Sequence, residues 1–138
     1  MKNPMNIYKI ENAKIDYTNL GVAHTDHGIL SFVIGLDYGG AGQGFGQICL
    51  DTYDDKLKHR TPTVLASSLL LCVDDVFNTD WEKLKGLPCR AYHTSGSVFA
   101  IGHYLSDKWL WYNISTNEFN VSDYESMCNG LLLKEPTQ

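Results

Sequence analysis

The stretch Asp37-Tyr38-Gly39-Gly40-Ala41-Gly42-Gln43-Gly44-Phe45-Gly46 sets five glycines within eight residues, between two strand-like runs. Glycine takes positive φ without steric penalty and loses more conformational freedom on folding than any other residue. Such a concentration marks a turn of special shape, or a backbone that something else approaches closely. Before it, Ile29 to Tyr38 alternates: Phe32, Ile34, Leu36 and Tyr38 share one face, Ser31, Val33, Gly35 and Asp37 the other. After it, Phe45 to Tyr53 reads as the return strand, with Gln47, Cys49 and Asp51 alternating against Ile48, Leu50 and Thr52. The two runs, joined by about six residues, form an antiparallel hairpin with a loop slightly longer than usual.

Working outward, Ile7, Ile10, Ala13, Ile15 and Tyr17 give one or two N-terminal strands, followed by a turn-like region from Asn19 to Gly28. Asp54 to Thr61 is polar and reads as an exposed connection. Thr61-Pro62 resembles a helix start, and Leu65, Leu69, Cys72, Val73 and Val76 supply one apolar stripe. Asp80 is placed to cap a second short helix, Trp81 to Lys85, which Gly86 would end. Strands then follow at Cys89 to His93, Ser97 to Leu105 and Lys108 to Asn113, with a short helix between about Ser122 and Leu133. Residues 1–138 form one domain, and 134–138 are expected to fray. The fold class is α+β: a mostly antiparallel twisted sheet, one principal helix packed on a face, and a short second helix.

Composition narrows the function classes. With 138 residues and 43% hydrophobic content, the chain can bury a core without metals or disulfides. Cys49, Cys72, Cys89 and Cys128 are widely spaced, no CxxC pair occurs, and structural disulfides are not expected. A net charge of -5 argues against nucleic-acid binding, which needs a basic face to displace counterions. No stretch approaches the roughly 20 apolar residues of a membrane-spanning helix, and the expected setting is soluble and cytoplasmic.

The candidate chemistry is sparse. The glycine segment lacks Gly-Lys-Ser/Thr and is followed by a strand, so neither a P-loop nor a dinucleotide fingerprint is present. Two readings stay open for it: a tight, twisted turn or bulge, or a contact surface. In the second, His27, Asp37, Tyr38, Gly39, Gly40, Gly42, Gln43, Gly44 and Phe45 meet a ligand or partner, Tyr38 and Phe45 offering stacking faces. His24 and His27 with Asp26 could serve a metal on a helix, but they read as a turn, where that spacing loses its meaning. No metal or cofactor is therefore assigned. Asp37 and Asp51 would approach each other if the hairpin pairs symmetrically. There is no nucleophile elbow, and no catalytic residue is assigned. Trp109 and Trp111 share one face of a strand, with Leu110 and Tyr112 on the other; apolar groups on both faces suggest an interface and a homodimer.

Several phrases stand out along the chain: Asp26-His27-Gly28-Ile29, Asp37-Tyr38-Gly39-Gly40 through Gln43-Gly44-Phe45-Gly46, Trp81-Glu82 with Leu84 and Gly86, Ile101-Gly102-His103, and Asp107-Lys108-Trp109. In these the chain resembles a family of small, uncharacterised proteins encoded by bacteriophages and prophages. It departs from that pattern at Gln47, where another glycine is expected, and in a longer Asp54 to Thr61 connection. The resemblance carries no catalytic residues. It implies an accessory protein of a phage or mobile element in a bacterial cytoplasm, acting by binding as an inhibitor of a defence system, such as an anti-CRISPR. Its partner would be a host defence protein or its nucleotide signal. The alternatives are a binder that sequesters a nucleotide signal and a small metal-dependent hydrolase using His24, His27 and the hairpin aspartates.

Overall fold

A computed structural model describes residues 7–25 and 27–132. The expected α+β architecture is the one that forms. One antiparallel sheet contains β1 (Lys9–Ala23), β2 (Ile29–Asp37), β3 (Gly42–Gly46), β6 (Pro88–His93), β7 (Val98–His103), β8 (Trp109–Asn113) and β9 (Glu118–Ser122). Its strand order is β3-β2-β1-β6-β7-β8-β9, and a separate ribbon pairs β4 (Asp51–Asp54) with β5 (His59–Pro62). The helices are α1 (Leu65–Phe77) and α2 (Tyr124–Leu132).

The long strand β1 determines the shape. Its first half, Lys9 to Lys14, pairs with β6, and Lys14 to Ala23 pairs with β2. Between Ile15 and Tyr17 the register shifts by one residue, leaving Asp16 as a bulge. A bulge bends its strand and increases the local twist. The sheet curls accordingly, and β3 comes back against β7 without forming a ladder to it. The result is a barrel-like wall with one unclosed seam.

Each face of the sheet has its own core. Leu65, Leu69, Val73 and Val76 of α1 are all buried, and with Ile15, Ile34, Leu36, Phe45, Ile101 and Leu110 they fill the inner face. Burying one such side chain contributes roughly 1.5–3 kcal/mol. On the outer face α2 sets Met127, Cys128 and Leu131 over Tyr92, Ala100, Trp109 and Trp111.

Several expected boundaries move. Residues 19–23 continue β1 instead of turning, because Asn19 and Gly21 pair with Val33 and Ser31. The return strand ends at Gly46: Gly46 (φ 129°) and Gln47 (φ 60°) turn the chain out of the sheet. Gln47, where a glycine was expected, thus holds a conformation that glycine favours. Asp54 to Thr61, expected as a connection, is mostly the β4–β5 hairpin. Thr61-Pro62 belongs to β5 rather than to a helix start, and α1 begins at Leu65, whose N–H donates to Thr63 Oγ1. Trp81–Lys83 is only a 3-10 turn, and Asp80 makes no side-chain cap. Strand β9 was not expected, although Phe119 and Val121 alternate with polar residues. Residues 134–138 lie outside the described residues.

Candidate functional site

The glycine segment folds tighter than its sequence suggested. Tyr38 N–H donates to the Ala41 carbonyl at 2.9 Å, which leaves Gly39 and Gly40 as the two central residues of the turn. Of the two, only Gly39 has positive φ (99°), which glycine takes without steric penalty. Asp37 Oδ1 accepts the Gly39 N–H at 2.8 Å and stiffens the entry. Residues 39–42 are all exposed.

Beneath this bare tip the base is locked. The Tyr38 hydroxyl donates to Gln43 Oε1 (2.7 Å), and Gln43 Nε2 donates to the Thr94 carbonyl (2.9 Å) across the seam. The Tyr38 ring stacks on His93, centroids 4.7 Å apart and 17° from parallel. Both His93 nitrogens face acceptors, Glu11 Oε1 at 2.9 Å and the Thr94 carbonyl at 3.1 Å. Burial, with the Glu11 carboxylate nearby, pushes the Tyr38 phenol well above its ordinary range. It stays a neutral donor.

Most of the glycines have an internal reason. A Cβ at Gly42 would stand 2.9 Å from the Leu36 carbonyl, and one at Gly44 2.8 Å from Val33 Cγ2. Gly46 combines positive φ with contact against Phe32. Gly40 differs: its φ is not in the left-handed region, and a Cβ there would meet nothing within 4 Å. The hollow beside the tip is lined by Asp16, Leu36, Asp37, Gly40, Ala41 and Gly42.

Other predicted groups are dispersed. His24 and His27 occupy the β1–β2 turn, at the opposite end of β2 from the tip. Nine residues of strand separate them, roughly 30 Å at about 3.4 Å per residue, so His27 is not a neighbour of the glycine turn; Asp26 lies outside the described residues. Asp37 and Asp51 do not meet. Asp37 pairs with Gly42, whereas Asp51 binds Arg60 at 2.7 Å and accepts the Leu30 N–H at the far end of β2. The guanidinium holds the Asp51 carboxyl below its usual range. Among the described residues no three His, Cys, Asp or Glu side chains stand close enough to hold a metal ion. The four cysteines are free, and burial pushes the Cys89 thiol up to about 12.

Trp109 and Trp111, expected at an interface, are 1% and 6% exposed. Helix α2 covers Trp111, with Gly130 against its ring, while Arg90 lies over Trp109 at 4.8 Å. The apolar face that suggested a homodimer is therefore interior.

A second concavity was not read from the sequence. At the end of the seam away from the tip lies a cavity of about 210 Å³. Phe45, Gly46 and Ile48 form one wall, Val98 and Phe99 another, and Tyr8, Tyr92, Tyr112, Ile114 and Leu131 close it. These residues are scattered from 8 to 131, and only the curl of the sheet gathers them. Comparison with known protein families, with curated proteins and with solved structures finds no match for this chain.

Proposed function

We propose that this protein acts by binding a protein partner through the Gly39-Gly40 tip, as an accessory factor of a phage or mobile element that inhibits a bacterial defence system. The observation that carries the reading is a side-chain-free, exposed turn on a base fixed by Tyr38, Gln43, His93 and Thr94. A preorganised surface loses little entropy on association. Gly40 strengthens the case, since nothing inside the molecule calls for glycine there. The phage setting, the bacterial cytoplasm and the anti-CRISPR type of action rest on the resemblance in the glycine phrase and its companions.

The charge beside the tip selects among partners. Asp16 and Asp37 line the adjacent hollow, so the complementary surface is basic or rich in N–H donors. The same carboxylates oppose a phosphate, and a sequestered nucleotide ranks second. A hydrolase ranks third, because His24 and His27 stand at the other end of β2 from Asp37.

Capture from a bacterial lysate tests the proposal, comparing the native protein with Gly40→Lys and identifying retained proteins and small molecules by mass spectrometry. The expected result is a host protein retained by the native chain and reduced at least tenfold by Gly40→Lys, with unchanged circular dichroism. Equal retention by both, or retention of a nucleotide alone, would overturn it.

A further inference from the structure

We infer that the cavity at the open end of the seam is a binding site for a small, neutral, planar ring compound bearing one hydrogen-bond acceptor. The volume sets the size. A 150 Å³ cavity lined by apolar side chains stays dry and admits benzene, and this one, at about 210 Å³, has room for one ring or two fused rings. The walls set the shape. Tyr8 stacks on Tyr92 with centroids 5.2 Å apart and 11° between planes, and meets Phe99 at 5.3 Å. Together with Phe45 and Tyr112 these rings present faces and edges that favour offset or edge-on contact with a planar guest.

The lining sets the charge. Among the described residues it contains no Asp, Glu, Lys or Arg, so an ionised ligand would be desolvated there without a counter-charge from them, a costly transfer. Asn113 supplies polarity at the wall. Its Oδ1 already accepts the Ser115 and Thr116 N–H groups, at 2.9 and 3.3 Å, so the amide offers its own N–H donors. That suits a ring nitrogen or carbonyl on the guest. Two strands that approach without pairing create the space, since the β7–β8 ladder starts only at Ala100 and leaves Val98 and Phe99 beside β3.

Quinoline, neutral at pH 7.5 and carrying one acceptor, is the probe, with 2-naphthoate as the charged analogue of similar size. Quinoline should raise the melting temperature and shift the NMR signals of Phe45, Phe99 and Leu131 saturably. 2-Naphthoate should bind at least tenfold more weakly. Ile48→Trp and Leu131→Trp, which fill the cavity from opposite walls, should each abolish the quinoline shifts, and the variant that keeps the native spectrum decides. Absence of saturable shifts up to the solubility limit, equal binding of both probes, or persistence of quinoline binding in a folded filled variant would each overturn the assignment. Gly40→Lys should bind quinoline normally, because the tip and the cavity lie at opposite ends of β3.

Discussion

Glycine does opposite work in two regions of this molecule. At Gly35 and Gly102 of the sheet and at Gly130 of α2 it makes room for rings. A Cβ at Gly35 would overlap the edge of the Tyr17 ring, one at Gly102 would stand 2.7 Å from Trp109, and one at Gly130 would collide with Trp111. At the hairpin tip, Gly39 and Gly40 have nothing within 4 Å, and only Gly39 needs its positive φ. Glycines under rings are held by packing and belong to stability. Gly40, like Gly21 of β1, answers to neither packing nor conformation, and the proposed contact would supply the reason for a glycine at the tip.

The largest effect should come from the body. Gly102→Val inserts a branched side chain beneath Trp109, directly opposite in the ladder and fully buried. Overpacking of this kind costs about 1–3 kcal/mol and occasionally more. The upper end is expected here, because the indole is 1% exposed and Arg90 also lies over its ring, at 4.8 Å. A urea midpoint within error of the native one would break the comparison. Gly44→Val comes next, roughly 1–2 kcal/mol. The new Cβ would meet Val33 Cγ2, with the Tyr17 hydroxyl 3.9 Å away. The cause is crowding, not φ, so Gly44→Val combined with Val33→Ala should recover most of the loss. A smaller effect, about 1 kcal/mol, is expected from Tyr38→Phe, which leaves Gln43 Oε1 without its donor while keeping the stack on His93. Thermal denaturation of the single variant checks it.

Local patterns were legible where one period dominates. The stripe Leu65, Leu69, Val73, Val76 marked α1, and alternation marked β2 and β8. Boundaries failed where pairing outweighed propensity. Asn19 and Gly21 look like turn residues, yet β2 supplies them with partners. The site was half legible: the glycine phrase located the hairpin, but not the reasons for its glycines. Those reasons sit in Tyr17, Val33, Phe32 and Leu36, and depend on which residues face each other across strands. The seam was not legible at all. Gln43 reaches Thr94 across 51 residues of chain, and Tyr38 stacks on His93. No periodicity reports the bulge at Asp16 that curls the sheet to bring them together.

The smallest expected change in stability is the most informative for function. At Gly40 the backbone tolerates a side chain and the surrounding space is open, so Gly40→Lys should alter stability by no more than about 0.5 kcal/mol. For the proposed binding the same substitution places a long cation on the turn, beside a hollow lined by Asp16 and Asp37. It blocks close approach of the main chain and opposes the partner's charge. A variant with native melting behaviour and tenfold weaker partner capture separates the two kinds of glycine in one measurement. If Gly40→Lys instead destabilises the fold as much as Gly44→Val, the tip is built like the body and its glycine needs no partner to account for it.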